Sequence, residues 1–425
     1  MRKSLTAEQK QSWADDGFLI LRDTFAKAEL DRLAGGVLRA VKGGSCYSGR
    51  GGSLVPIDSD RPYPAPETMY TVEGQYQDDP DLLFIAEHPA VLDPVEELLG
   101  GPACLSAFIS YLKTPGARGT GGDYQGSHPT GHCDYKTYHQ AGSSLNWLFV
   151  IIPLVDLDEE TGPLLVSPGS HKASRIVPVN DRVSRVERAS ASNIAPLVDA
   201  ELRRGDLLLM SMFTWHEGRA NDSNHDRFGL YNKYRALDAP PACGPQLFSE
   251  RSYDALSEAG KRLMPHHSDL PFAEARLIVE HDGKVLLTAG DRGGWQLPGA
   301  PASIDNPAGQ AVTAKLIRQL EVALLDSLGV EIPWMTFVAD YFDTNGVRRV
   351  FAYSDDEGAS VGAVSSPEFR WVDSVGINTL VEAEELGRDD ADAIRLWSGK
   401  PCLRGTGESA ERAKSVAGAP GGGTT

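Results

Sequence analysis

The stretch SLNWLFVIIPLV (144–155) is the first of four short apolar runs, the others being GPLLVSPGSH (162–171), GDLLLMSMFTWH (205–216) and RFGLYNKYRA (227–236). Each run has about the length of a β-strand, and Gly and Pro punctuate the chain around them. Strands of this length and spacing are typical of a barrel or jelly roll and not of a helical bundle. We therefore predict an all-β region from about residue 105 to residue 234.

The segments that flank this region predict helices and a second unit. Thr6 and Gln9 have the spacing of a capping box, and a strand (17–23) and a helix (27–41) follow. Beyond the β region we predict one helix over 253–264.

The chain therefore divides, by prediction, into four parts. A first unit covers residues 1–265, a linker covers 266–272, and a smaller strand-rich unit with one long helix covers 273–403. The last stretch, 404–425, is rich in Gly, Ala, Ser and Thr, and we expect it to be disordered.

Composition excludes several classes of protein. The chain has 425 residues with 41 Lys plus Arg against 59 Asp plus Glu, a net charge of −18, which argues against nucleic acid and anionic membranes as partners. No apolar run is long enough to span a membrane, and the N-terminus has no apolar signal core. The cysteines are odd in number and lack a CxxC pattern, so we expect reduced thiols in the cytoplasm: Cys46, Cys104, Cys133, Cys243 and Cys402.

The sequence HCD (132–134) carries the chemical signal. Alternate residues of a strand face the same way, so His132 and Asp134 point together and Cys133 points away. One imidazole and one carboxylate on one face make two thirds of a facial triad for non-haem iron. His216, at the end of an apolar strand, fits as the distant third ligand. His128 and His139 flank the motif and stay open as rival ligands.

A second feature strengthens this interpretation. Arg227 lies 227 − 216 = 11 residues beyond His216, on the next predicted strand. From there its planar guanidinium reaches into the barrel and suits the far carboxylate of a 2-oxo acid.

Taken in chain order, these motifs resemble the phytanoyl-CoA dioxygenase family, with the pattern of its ectoine hydroxylase type. The matching pieces are DGFLILRD (16–23), LKTPG (112–116), HCDYKTYH (132–139), TGPLLVSPGSHK (161–172) and GDLLLMSMFTWH (205–216). The resemblance implies a mainly β, double-stranded β-helix (jelly-roll, cupin-like) fold with flanking helices. It further implies that His132, Asp134 and His216 bind Fe(II) as the catalytic centre, that Arg227 binds the co-substrate 2-oxoglutarate with Lys113 as a second contact, and that O2 is consumed. Glu217 and Gly218 depart from the small polar residue that the family often has after the distal histidine.

The same resemblance bears on reaction and substrate. Because Asp134 is present, hydroxylation of an unactivated C–H bond is favoured over halogenation; desaturation and cyclisation use the same ligands and stay open. The acidic chain favours a small polar metabolite from specialised (natural product) biosynthesis over an acyl-CoA. Candidate substrate contacts are Tyr135, Tyr138 and Trp147, of which Trp147 also fits a packing role.

The unit at 273–403 resembles a Nudix fold in GGWQLPGA (293–300), LLDSLGV (324–330) and SPEFRWVD (366–373). The positions that the fold fills with Arg-Glu and Glu-Glu read Val322, Ala323, Asp326 and Ser327, and only Asp326 is acidic. We therefore interpret the unit as a degenerate Nudix-like α/β domain and expect a homodimer contact there. Two alternative functions stay open: a non-catalytic barrel that binds a small ligand, and a bifunctional oxygenase and Nudix hydrolase.

Overall fold

The computed structural model describes most of the chain in two compact units. The described residues are 4–43, 46–50, 53–56, 65–73, 78–118, 131–133, 146–178, 184–187, 189, 191–239, 244–290, 293–304, 310–329, 331–332, 335–354 and 367–399. The first unit comprises Met1–Pro241, Pro245–Ser268 and Ala308–Ala311, and the second comprises Ala242–Gly244, Asp269–Pro307 and Val312–Thr425. The predicted tail at 404–425 lies outside the described residues.

A large antiparallel sheet dominates the first unit. Its order is β1-β12-β7-β14-β6-β4-β2-β3, and β5 pairs with β14 beside β6. The strands are β1 (Phe18–Leu21), β2 (Tyr47–Arg50), β3 (Ser53–Pro56), β4 (Met69–Glu73), β5 (Ala103–Ala107), β6 (Ile109–Lys113), β7 (Trp147–Pro153), β12 (Leu207–Ser211) and β14 (Arg227–Ala236).

Two smaller sheets complete the β structure of this unit. β8 (Leu164–Val166), β11 (Val198–Asp199) and β13 (His216–Gly218) form one in the order β11-β8-β13, and β9 (Arg175–Pro178) pairs with β10 (Ser184–Glu187). The prediction that the first unit is mainly β with flanking helices is confirmed.

Burial on both faces explains why the sequence of strand β7 is apolar throughout. All seven residues are buried, because both faces of the strand are covered. Leu148, Val150 and Ile152 pack into the hydrophobic core that the helices cover, whereas Trp147 and Phe149 alternate to the opposite face. We call the space on that opposite face the lumen.

Helices cover the outer face of the large sheet. They are α1 (Ala7–Asp16), α2 (Lys27–Lys42), α3 (Pro80–Leu83) and α4 (Pro89–Leu99). The capping box at Thr6 and Gln9 is confirmed, with both reciprocal hydrogen bonds present. The amphipathic helix α2 buries Leu30, Leu33 and Val37 against the sheet.

The prediction of one helix over 253–264 is wrong. Helix α5 (Glu250–Ala255) ends early, and a separate 3-10 turn spans Gly260–Leu263. Between them, the backbone N–H and hydroxyl of Ser257 both donate to the carboxylate of Glu87. In a continuous helix the N–H of Ser257 would donate to the carbonyl four residues earlier. Its contact with Glu87 uses the same N–H and therefore competes with helix formation here.

The second unit is built on a mixed sheet of seven strands with the order β17-β16-β15-β20-β19, in which β18 pairs with β15 and β21 with β16. The strands are β15 (Phe272–His281), β16 (Lys284–Ala289), β17 (Trp295–Gln296), β18 (Gly299–Ile304), β19 (Thr336–Asp343), β20 (Gly346–Ser354) and β21 (Phe369–Val372). The helices are α6 (Gln310–Leu328), α7 (Ser374–Glu382) and α8 (Arg388–Trp397). Strands β15 and β20 are parallel, and the predicted long helix is α6.

Across the described part of the chain, every helix is too short or too polar to cross a lipid bilayer.

A fully buried ion pair lies in the second unit. Arg349 is 0% exposed, its guanidinium binds both carboxylate oxygens of Asp340 at 2.7 and 2.8 Å, and it lies 4.8 Å from the Phe272 ring centroid and 5.3 Å from that of Phe337.

We expect Arg349→Met to lower the free energy of unfolding of this unit by about 3–5 kcal/mol, because the Asp340 carboxylate stays buried without its partner. Denaturant unfolding would measure this loss. The double variant Arg349→Met/Asp340→Asn should recover much of it, and a single variant as stable as the parent chain would contradict the expectation.

Candidate active site

The two histidines predicted as iron ligands lie side by side. His132 and His216 form an antiparallel backbone bridge in which each N–H donates to the other's carbonyl, at 2.9 and 2.8 Å. Their ring centroids are 4.6 Å apart. The preceding residue, Gly131, has φ +64°, and a Cβ there would come within 2.9 Å of the His216 carbonyl oxygen. A glycine therefore lets the two strands approach closely enough to pair the rings.

The tautomer of His216 follows from its hydrogen bond. Its Nδ1 lies 3.0 Å from the carbonyl oxygen of Thr214, which can only accept, so Nδ1 carries the proton. Nε2 then presents a lone pair, which is the form that binds a metal ion. The Thr214 hydroxyl donates to the carbonyl of Gly17 at 2.8 Å, so the backbone that orients His216 is itself anchored to the end of α1.

A tight turn holds the strand end that carries His216. The Ser170 hydroxyl accepts from the N–H of Trp215 at 2.9 Å and donates to the carbonyl of Ser167 at 2.7 Å, while the N–H of Ser167 donates to the carbonyl of Trp215 at 2.8 Å. Neighbouring His171 packs against Gly17, and burial lowers the pKa of its imidazole. These contacts show that His171 packs against the end of α1 and that Ser170 holds the segment that carries His216.

Several predicted residues lie outside the described part of the chain. They are the third predicted ligand Asp134, the candidate substrate contacts Tyr135 and Tyr138, and the rival ligands His128 and His139. The described residues therefore contain two of the three predicted iron ligands.

The two predicted 2-oxoglutarate contacts also lie together. Arg227 on β14 and Lys113 on β6 are direct register partners, and their exposures are 4% and 6%. Both side chains donate to the carbonyl of Arg219, at 2.9 Å from Arg227 and 3.5 Å from Lys113. Two buried cations at one place make a strong site for a carboxylate. Glu217, which departs from the family pattern, lies 3.4 Å from the Arg219 guanidinium.

The structure adds three residues on the lumen that the sequence argument missed: Phe149, Tyr231 and Lys233. Phe149 places its ring centroid 6.1 Å from that of His216 and 6.5 Å from that of Tyr231. Lys233 Nζ lies 5.2 Å from the Phe149 ring centroid. Strand alternation from Trp147 and from Arg227 would have placed all three on the lumen face, because odd-numbered positions of β7 and β14 share it.

Removal of the Ser170 hydroxyl should weaken metal binding. In Ser170→Ala the N–H of Trp215 loses its acceptor, the segment that orients His216 is freed, and we expect metal affinity to fall roughly 10-fold. Anaerobic titration with Fe(II) would measure it, and Ser192→Ala, at an exposed position, is the matched control. Equal affinity in Ser170→Ala and the parent chain would show that the turn does not orient the ligand.

Comparison with known proteins places the first unit in a family. The phytanoyl-CoA dioxygenase (PhyH) family matches residues 13–229. The ectoine dioxygenase of Bordetella parapertussis is 25% identical over 171 residues, which are 40% of this chain and 50% of that protein. The chain thus spans about half the length of the curated relatives it matches.

Solved structures give similar but distant matches. SnoN, a non-haem 2-oxoglutarate-dependent epimerase from nogalamycin biosynthesis, is 20% identical with a TM-score of 0.41, covering 55% of this chain and 85% of that one. HygX from Streptomyces hygroscopicus, solved with nickel, 2-oxoglutarate and hygromycin B, is 20% identical with a TM-score of 0.37, covering 54% of this chain and 87% of that one. The family match, by contrast, spans just over half of the chain and includes His132, His216 and Arg227. The chain therefore belongs to the phytanoyl-CoA dioxygenase family.

Proposed function

We propose that the first unit is a non-haem Fe(II)- and 2-oxoglutarate-dependent oxygenase. The observation that carries the proposal is the bridge between His132 and His216, which sets two imidazoles side by side on the lumen. The buried pair Arg227 and Lys113, on neighbouring strands, supplies the second half of the site. Membership of the phytanoyl-CoA dioxygenase family agrees with both.

The residues present fit the metal. The Nδ1–H of His216 donates to the Thr214 carbonyl, which makes Nε2 the atom that would bind the metal. Asp134, two residues after His132, supplies a carboxylate as the third ligand in this proposal. When bound, Fe(II) with 2-oxoglutarate and O2 supplies the oxidising power for attack on an unactivated C–H bond. The protein's task is to hold these groups in place and to exclude water around them.

Arg227 and Lys113 bind the distal carboxylate of 2-oxoglutarate in this proposal. The Arg219 carbonyl that both side chains contact holds them before the ligand arrives, so little side-chain entropy is lost on binding. Asn221 supports the same arrangement, because its amide donates to the carbonyls of Lys113 and His225 at 3.0 and 2.8 Å.

The substrate we propose is a small polar metabolite that is hydroxylated, in a specialised biosynthetic pathway. The carboxylate of Asp134 supports hydroxylation over halogenation. The similarity to ectoine dioxygenases supports a compact polar substrate. The acidic chain agrees, since a polyanionic acyl-CoA is repelled by a net charge of −18.

Anaerobic addition of Fe(II) and 2-oxoglutarate tests the proposal without knowledge of the substrate. We expect a weak visible charge-transfer band at about 500 nm from chelation of the 2-oxo acid. His132→Ala should abolish the band. A parent chain that binds Fe(II) and yet shows no band would overturn the proposal.

Arg227→Met separates co-substrate binding from metal binding. We expect its Fe(II) affinity to be unchanged and its 2-oxoglutarate dissociation constant to rise roughly 30-fold or more, because a buried cationic contact is lost. The same band, titrated with 2-oxoglutarate, measures it. Arg203→Met, at an exposed position, is the control, and an equal effect in both variants would argue against the assigned role.

For the second unit we propose a degenerate Nudix-like domain without hydrolase activity. Helix α6 follows the segment 293–300, as the Nudix arrangement requires, but an exposed valine, Val322, stands at the arginine position. Of the three acid positions, Ala323, Asp326 and Ser327, only Asp326 is acidic. A metal-bound diphosphate needs several carboxylates. We therefore expect the full chain with Mg²⁺ to release no phosphate from nucleoside diphosphates. Release that Asp326→Asn abolishes would instead support the bifunctional alternative.

A further inference from the structure

The outer face of helix α6 in the second unit carries two exposed apolar side chains. Val322 is 54% exposed and Leu325 is 45% exposed, and they lie nearly one turn apart on the same face. On its opposite side the helix buries Leu316, Leu320 and Leu324 almost completely. Single exposed apolar residues are ordinary on a protein surface, whereas a pair on one helix face favours contact with another surface.

Two opposite charges flank this apolar pair. Arg318 lies one turn before Val322 and Asp326 lies one turn after it, and both residues are exposed. Neither forms an ion pair with any residue in the described part of the chain. Asp326 also stands in the last turn of the helix, where the negative end of the helix dipole disfavours an acid. A cation beside Asp326 would offset that repulsion.

We propose that two copies of this chain associate through α6, with the two helices antiparallel and a two-fold axis at Val322. This arrangement sets Val322 against the partner's Val322. It also sets each Arg318 opposite the partner's Asp326, because both charges are four residues from the axis. The interface then has an apolar centre with an ion pair at each end, as interfaces between proteins commonly do. The homodimer contact that the sequence predicts for this unit is thereby assigned to one face of one helix.

Charge distinguishes this arrangement from other ways of covering the face. Parallel helices in register would set Arg318 opposite the partner's Arg318 and Asp326 opposite the partner's Asp326, and like charges repel. An anionic lipid surface would be repelled by Asp326 and by the net charge of −18. A second copy turned by two-fold symmetry gives each charge on the face an opposite charge.

The small area of such a contact sets the expected affinity. One pair of helices buries less surface than the roughly 1,200 Å² of a typical stable complex. We therefore expect a dissociation constant on the order of 10 µM, so that the dimer forms in a concentrated solution of the chain and dissociates on dilution. The dimer depends on neither the iron site nor the Nudix-like interpretation of the unit.

Sedimentation velocity of the full chain at concentrations from about 1 to 200 µM tests the dimer. We expect the sedimentation coefficient to rise with concentration from that of a monomer to that of a dimer. Val322→Asn should raise the dissociation constant about 10-fold or more, because the apolar contact on the axis is lost from both copies at once. Val375→Asn, at an exposed valine of helix α7, is the matched control and should dimerise like the parent chain.

Reversal of charge tests the antiparallel register. Arg318→Asp and Asp326→Arg should each weaken the dimer about 10-fold or more, because two attractive pairs become two repulsive ones. An equimolar mixture of the two variants should dimerise like the parent chain, since in the mixed dimer every charge again faces its opposite. The double variant Arg318→Asp/Asp326→Arg should recover the dimer for the same reason. Lys284→Asp, at an exposed position of β16, is the control for the loss of a positive charge.

Three results would contradict the dimer: a parent chain that stays monomeric at the highest concentration, a dimer that Val322→Asn and Arg318→Asp do not weaken, or a mixture of the two charge variants that stays monomeric. All the substituted residues are exposed, so each variant should remain folded, and circular dichroism checks this. The charge-transfer band with Fe(II) and 2-oxoglutarate is measured independently, so failure of the dimer is distinguishable from failure of the oxygenase proposal.

Discussion

The pair of backbone hydrogen bonds between His132 and His216 is the constraint on which the candidate site depends. The two residues are 84 positions apart in the sequence (216 − 132), so only the pairing of strands brings them together. Both bonds are formed by the backbones of the two histidines, so the bridge keeps their main chains adjacent. Gly131 permits this approach, and the Thr214 carbonyl selects the tautomer of His216.

The large sheet connects this constraint to the rest of the first unit. Strands β7 and β14 are largely buried, with one face packed under helix α4 and the other lining the lumen. Apolar residues on the outer face stabilise the sheet by burial. The inner face is thereby free to hold residues that a core would not favour: Lys113, Arg227 and Lys233 are all buried cations there. Stability and chemistry are thus divided between the two sides of the same strands.

Much of this arrangement was accessible from the amino-acid pattern. The short apolar runs predicted a mainly β unit, the motifs in order predicted the family, and both are confirmed. The prediction of one helix over 253–264 is wrong because Glu87, far away in the sequence, binds Ser257 in the middle of that segment. The roles of Ser170, Phe149 and Lys233 were missed because each depends on a neighbour from another strand or turn. Asp134 as third ligand, and the Nudix-like character of the second unit, stay predictions.

The sequence by itself determined which chemical groups the protein can use: the residue types of the HxD motif and distal histidine, the arginine 11 positions beyond it, and the period-two alternation that sends side chains to one face or the other. Local periodicity suffices for these because it depends on backbone geometry within a single strand. The tertiary structure alone decided which groups meet. The bridge of His132 to His216, the shared carbonyl of Arg219 and the closeness of Lys233 to Phe149 depend on strand register, which is set by packing across the whole sheet and not by any one segment.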